Sequence, residues 1–179
     1  MKKLLVSIGI AASVGLAAPV QAGEKGWDDA GSIARDALVV AAFGVPAVQG
    51  DWDGVLQAGG SLGGTMLVTQ GLKEVFPSRR PDGSDDKSFP SGHTSTSFAA
   101  AATLHNRYGW EAGLPAYVVA SFVGLSRVEA KRHRVGDVLV GAAIGTITGH
   151  LITTKANDRV HILPWGDTQG GGVAVTMRF

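Results

Sequence analysis

Two stretches of this chain, residues 54–72 and 138–154, run without a charged side chain and carry glycines four apart. In the first these are Gly59 with Gly63 and Gly60 with Gly64; in the second, Gly141, Gly145 and Gly149. A glycine inside a helix costs about 1 kcal/mol relative to alanine. Spaced at four, however, glycines share one helix face and let a second backbone come close. The pattern predicts tightly packed helices whose contact outweighs the propensity cost, as against a flexible glycine loop. Both runs also hold Gln, Ser, Thr or His, and they sit at the edge of the ~20 apolar residues that a bilayer-spanning helix needs.

The remaining elements follow from caps and breaks. Residues 23–36, with Trp27, Asp28 and Asp29, read as a loop or short amphipathic turn leading into a first helix over 33–48, which Pro46 bends or ends. A turn over 50–54 starts the second helix with Asp53 as its cap; the helix reaches Val75 and Pro77 stops it. A polar loop with Asp82, Asp85, Asp86 and Lys87 then leads to a third helix over 94–106 that buries Phe98, Ala102 and Leu104. The fourth spans 111–125, with Pro115 tolerated in its first turns, and the fifth spans 136–153. Val160-His161-Ile162-Leu163, a glycine-rich turn and an alternating run over 173–179 predict a β-hairpin within 160–179. The expected fold is all-α: a compact bundle of five to six helices with a short C-terminal β-hairpin, in one domain over 23–179.

Residues 1–22 have Lys2 and Lys3, an apolar run from Leu4 to Ala18 and the small-residue end Val20-Gln21-Ala22. This is the layout of a secretory signal peptide, and it places the mature start at Gly23; the alternative is an uncleaved membrane helix. Without cysteine, disulfides, thiolate catalysis and cysteine-ligated zinc are excluded. Sixteen Lys and Arg against 15 Asp and Glu leave no global field for nucleic acid, so basic residues count only where they cluster. Histidines 93, 105, 133, 150 and 161 show no metal-ligand spacing, and no metal or other cofactor is expected. His105 and His150 read as helix-end histidines.

Chemistry concentrates in three places. Residues 126–137 read Ser-Arg-Val-Glu-Ala-Lys-Arg-His-Arg-Val-Gly-Asp. His133 falls just before the fifth helix and Asp137 on its first turn, within reach of the imidazole. A carboxylate on one ring nitrogen would fix the tautomer and free the other to attack or to take a proton. Arg127, Lys131, Arg132 and Arg134 surround the pair and suit an anionic substrate. The bland alternative is a basic loop before a helix with a capping Asp. Lys73 closes the second helix with Arg80 in the loop beyond it, so both cations can point one way. Pro90-Ser91-Gly92 makes a tight turn at a helix N-terminus, where backbone N–H groups and the dipole favour an anion, and His93 sits at that same end.

Together these blocks resemble the type 2 phosphatidic acid phosphatase and vanadium haloperoxidase superfamily. Its pattern is Lys, six residues, Arg-Pro; then Pro-Ser-Gly-His; then Ser-Arg, five residues, His, three residues, Asp. Here these are Lys73 with Arg80-Pro81, then Pro90-Ser91-Gly92-His93, then Ser126-Arg127 with His133 and Asp137, and no fixed position departs. The resemblance implies that Lys73, Arg80, Ser91, Gly92 and Arg127 bind phosphate. It implies that His133, oriented by Asp137, attacks phosphorus and that His93 protonates the leaving oxygen and later activates water. The implied activity is metal-independent hydrolysis of a phosphomonoester or pyrophosphate, with a phosphorylated lipid or small phosphate ester as partner. The implied location is the periplasmic side of the envelope, associated with the inner membrane. A soluble periplasmic acid phosphatase, a vanadate-dependent haloperoxidase and a non-enzymatic phosphate-binding protein are the alternatives.

Overall fold

The structure, a computed structural model, describes residues 23–156, 160–167 and 170–177; the expected signal at 1–22 lies outside them. Among the described residues five helices run up and down: α1 (Glu24–Val48), α2 (Trp52–Val75), α3 (Gly92–Tyr108), α4 (Trp110–Glu129) and α5 (Val135–Ile152). Strands β1 (Val160–Asp167) and β2 (Gly170–Met177) pair antiparallel, Val160 opposite Met177.

α3 is the hub, packed against each of the other four helices. Its Ala99, Ala100, Ala101 and Ala102 are fully buried. Side chains this small admit close neighbours, and the glycine file of α5 uses that freedom. A Cβ on Gly141 would lie 2.6 Å from the Ser91 carbonyl oxygen and one on Gly149 2.5 Å from the Ala102 Cβ; one on Gly145 would run into the Ser95 carbonyl oxygen. In α2 Gly60 and Gly64 face Ile152 and a Cβ on Gly59 would lie 3.8 Å from Phe43, whereas beyond its own stretch of helix no atom lies within 4 Å of a Cβ placed on Gly63.

Polarity is distributed inside out. Buried Thr69 and Ser95 hydroxyls lie 2.9 Å apart, and Thr103 donates to Ser61 at 2.9 Å. Large apolar residues instead line the outside of the four outer helices: Val40 on α1, Leu56 and Leu67 on α2, Val118 on α4 and Leu151 on α5 are all exposed, Leu67 by 77%. α1 and α5 are long and apolar enough to cross a membrane.

Two local expectations give way. α1 begins at Glu24, not near Ile33, because residues 24–32 have a partner: Trp27 meets Phe122, and Gly31 lets α1 close onto Ser126 and Arg127 of α4. The N-cap of α2 is Asp51, not Asp53; its carboxylate accepts from the Gly54 amide at 3.1 Å. Asp51 also receives Arg107 Nε at 2.5 Å and the Tyr108 hydroxyl at 2.7 Å, which ties the α1–α2 turn to the end of α3.

Candidate active site

At the opposite end meet the start of α1, the end of α2, the start of α3, the end of α4 and the start of α5. Connecting segments 76–91 and 130–134 complete this end. Pro77 stops α2 after Lys73, and an isolated bridge between Ser78 and Lys87 closes the polar loop on itself. The Ser91 amide donates to the Asp137 carbonyl oxygen at 3.0 Å, so the second and third blocks are joined through backbone.

His133 is buried, and its amide donates to the Arg127 carbonyl oxygen at 3.1 Å. Its Nδ1 lies 2.6 Å from the Ser88 carbonyl oxygen. A carbonyl only accepts, so Nδ1 carries the hydrogen and Nε2 keeps its lone pair. The expected direct bond from Asp137 is absent: Asp137 Oδ2 is 4.0 Å from Nδ1, too far for a hydrogen bond. That oxygen instead accepts from Ser88 Oγ at 2.5 Å and from the Arg134 amide at 2.9 Å. Asp137 therefore holds the Ser88 segment, and the Ser88 carbonyl holds the ring. Burial, helped by the nearby charges of Arg80 and Lys73 and opposed by Ser88 and Asp137, pushes the His133 pKa down to about 4. The ring is neutral at neutral pH.

Each cation of the motif is anchored. Lys73 Nζ donates to the carbonyl oxygens of Lys87 and Pro90, both at 2.6 Å. Arg80 Nε donates to Asp85 Oδ1 at 2.6 Å. Arg127, 1% exposed, donates to Asp28 Oδ1 and to the Asp28 carbonyl oxygen, both at 2.6 Å, and more distantly to the Trp27 carbonyl and Ser126 Oγ. The Asp28 carboxylate also accepts from Arg132 Nη2 at 2.9 Å, and Arg132 Nη1 reaches Asp82 at 3.0 Å. Ser91 is buried with its hydroxyl 2.9 Å from Thr94 Oγ1, and Gly92 is the first residue of α3.

His93, in the first turn of α3, meets α1. Its Nε2 lies 2.9 Å from Arg35 Nη1 and 3.2 Å from Ser32 Oγ. Burial, with the nearby charge of Arg127, holds its pKa below the ordinary imidazole range. All eight residues singled out from the motifs thus gather at one end of the bundle. Sequence reasoning missed Asp28, Ser32 and Arg35, and it missed the carbonyl of Ser88. Two imidazoles, three motif cations and a helix N-terminus form a site suited to a tetrahedral oxyanion. Beside it an open groove of about 720 Å³ runs along Leu72, Val75, Phe76, Phe89 and Val140 to Asp137.

A family model for the PAP2 superfamily matches residues 54–161. The lipid A 1-phosphatase of Porphyromonas gingivalis is 42% identical over 103 residues, which is 49% of this chain and 23% of that protein. The lipid A 4'-phosphatase of Helicobacter pylori is 32% identical over 111 residues, 54% of this chain and 56% of the relative. The chain therefore spans about a quarter and about half of these relatives' lengths. Among solved structures, Aquifex aeolicus LpxE superposes with a TM-score of 0.62 at 21% identity, covering 72% of this chain and 83% of that one. A transmembrane PAP2-type phosphatidylglycerolphosphate phosphatase from Bacillus subtilis gives 0.58 at 25% identity, covering 72% and 74%.

Proposed function

Since the chain belongs to the PAP2 superfamily, we propose that it is a phosphatase of membrane lipids, acting through a phosphohistidine and without a metal. The observation that carries this reading is the 2.6 Å contact of His133 Nδ1 with the Ser88 carbonyl, which presents the Nε2 lone pair among the motif cations. In the proposed reaction Lys73, Arg80 and Arg127, with Ser91 and the Gly92 N–H, hold the phosphoryl oxygens. His133 Nε2 attacks phosphorus while His93 protonates the departing oxygen. His93 then takes a proton from the water that cleaves the N–P bond and frees phosphate. Charged donors around the transferring group are worth roughly 2 to 4 kcal/mol each on the scale of an oxyanion hole.

The lipid character of the substrate is supported by the apolar outer faces of α1, α2, α4 and α5, which suit acyl chains rather than water. The apolar groove beside Asp137 offers a path for a lipid tail. The same faces disfavour a soluble acid phosphatase. We place the protein in the inner membrane with its site toward the periplasm. The relatives named for lipid A make a phosphorylated saccharolipid the first substrate to assay.

Phosphate release by the detergent-purified protein, with lipid A, phosphatidic acid, undecaprenyl diphosphate and soluble esters, tests the reading. The expected result is turnover of at least one lipid well above the soluble esters, with a ³²P label on His133 after acid quench. Turnover of soluble esters alone would make it a general acid phosphatase. Steady bromide oxidation with bound vanadate and no ester turnover would make it a haloperoxidase.

A further inference from the structure

α1 contributes to none of the three motif blocks, yet it brings two side chains to the tip of His93. Arg35 Nη1 stands 2.9 Å from His93 Nε2. A guanidinium has donors only. At this distance Nε2 therefore presents its lone pair, and the ring hydrogen sits on Nδ1. Ser32 Oγ, 3.2 Å from the same nitrogen, already donates to the Asp28 carbonyl oxygen at 2.9 Å, which leaves Arg35 as the donor that holds Nε2.

This arrangement sets a conflict for a leaving-group acid. Nε2 cannot carry the proton that a departing oxygen needs and accept from Arg35 at the same time. Arg35 has to give way, and its other partners allow it where those of Arg127 would not. Arg127 is buried and bound through Asp28 at 2.6 Å. Arg35 is 27% exposed and otherwise pairs only with Asp36, its 64% exposed neighbour in sequence, among the contacts of the described residues. An exposed ion pair of this kind holds weakly, so the Arg35 side chain is the one that can turn.

We propose that Arg35 is a catalytic residue on the leaving-group side, which caps His93 Nε2 in the resting enzyme and turns to hydrogen-bond the departing oxygen once that nitrogen is protonated. The inference rests on the phosphatase reading above. In the step, His93 Nε2 takes the proton of the bound ester's monoanionic phosphate and Arg35 is released from it. The His133 Nε2 lone pair forms the N–P bond, and the P–O bond breaks with its electron pair on oxygen. That oxygen receives the proton from His93 while Arg35 donates a hydrogen bond to it. His93 is then neutral and Arg35 can return to Nε2 until water attacks.

The test uses the full chain in detergent with Arg35→Met and Arg35→Lys, comparing an alkyl phosphate with p-nitrophenyl phosphate, whose oxygen departs readily without help. Arg35→Met is expected to lose about 100-fold in kcat on the alkyl ester and under about 5-fold on the aryl ester, the contrast expected when a leaving-group donor is removed. Arg35→Lys should recover most of the alkyl activity. A ¹⁵N NMR spectrum of the wild type should show His93 protonated at Nδ1 and not at Nε2. Equal losses on both esters, no loss on either, or a resting proton on Nε2 would overturn the proposal while leaving the phosphatase reading intact. A wild type inactive on every ester would overturn both. Matched melting temperatures for the variants exclude misfolding as the source of a loss.

Discussion

Asp28 Oδ1 and Arg127 Nη1 are 2.6 Å apart, a pair that joins the first turns of α1 to the end of α4 across 99 positions of sequence. Asp28 puts a carboxylate on a cation that the family pattern reserves for phosphate, and Arg127 beneath it is almost fully buried. The Asp28 carboxylate is thus the counter-ion of Arg127.

Replacing Asp28 by Asn should leave Arg127 without its counter-ion. Breaking a buried pair from one side costs about 3 to 5 kcal/mol, to be reduced here because Asp28 is a quarter exposed. The variant should melt below the wild type. Inorganic phosphate or vanadate should restore more of its melting temperature than it adds to the wild type, because the vacant cation gains a partner. Equal ligand-induced shifts in the two proteins would mean that Asp28 and phosphate do not share Arg127.

Asp137 makes a second, sharper expectation. A carboxylate bonded directly to the imidazole of a catalytic pair is worth about 10,000-fold when changed to the amide. Here the ring is held by the Ser88 carbonyl at 2.6 Å, and Asp137 acts through Ser88 and the Arg134 amide. Asp137→Asn keeps an acceptor for one of those donors and should cost only about 10- to 100-fold in kcat, less than the direct bond is worth. A loss near the full value would indicate that Asp137 closes onto His133 when substrate binds.

That relationship also marks where sequence reading stopped. Gly141, Gly145 and Gly149 announced a close helix contact, though not its partner α3, because their spacing repeats the helix period, and the three blocks announced their own meeting because side-chain identity carries the chemistry. Ser88 orients His133 with its main-chain carbonyl, a group that every residue has, so nothing in the side-chain pattern distinguishes it. Asp28 and Arg35 reach the site only because α1 lies against α3 and α4, and no local spacing records a contact 58 or 99 positions long. The helix cap failed for a related reason. Asp51 and Asp53 are equally good caps locally, and Arg107 and Tyr108, far along the chain, favour Asp51.

The pKa of His133 gives a pH test with a definite sign. Its folded value of about 4 is depressed from the ordinary 6.5. Between those values the unfolded chain binds a proton that the folded ring refuses, so the contribution of the neutral ring to stability is present above pH 6.5 and is lost as pH falls toward 4. The wild type should lose stability relative to His133→Asn across that window. In an NMR titration the His133 ring should stay neutral down to about pH 4. A midpoint near 6.5 would show that the site is wetter than its burial implies.

The two glycine files separate packing from propensity. Gly145 of α5 sits against α3 so closely that an added Cβ would strike the Ser95 carbonyl oxygen and lie 2.7 Å from the Ala99 amide nitrogen. Both obstacles are backbone, so no side chain can swing aside, and α3 and α5 would have to separate. Overpacking of this kind costs about 1 to 3 kcal/mol. The movement would also draw the Ser91 turn from the start of α5, where the Ser91 amide meets the Asp137 carbonyl at 3.0 Å, so Gly145→Ala should lose activity as well as stability. Gly63 of α2 has the same helical setting, but beyond its own stretch of helix no atom lies within 4 Å of its Cβ position. There alanine removes only the glycine penalty, and Gly63→Ala should gain up to about 1 kcal/mol with unchanged kcat. Thermal unfolding in one detergent, with phosphate release measured in parallel, reads both variants. A stable, active Gly145→Ala would show that the α3–α5 contact is looser than the file of glycines makes it.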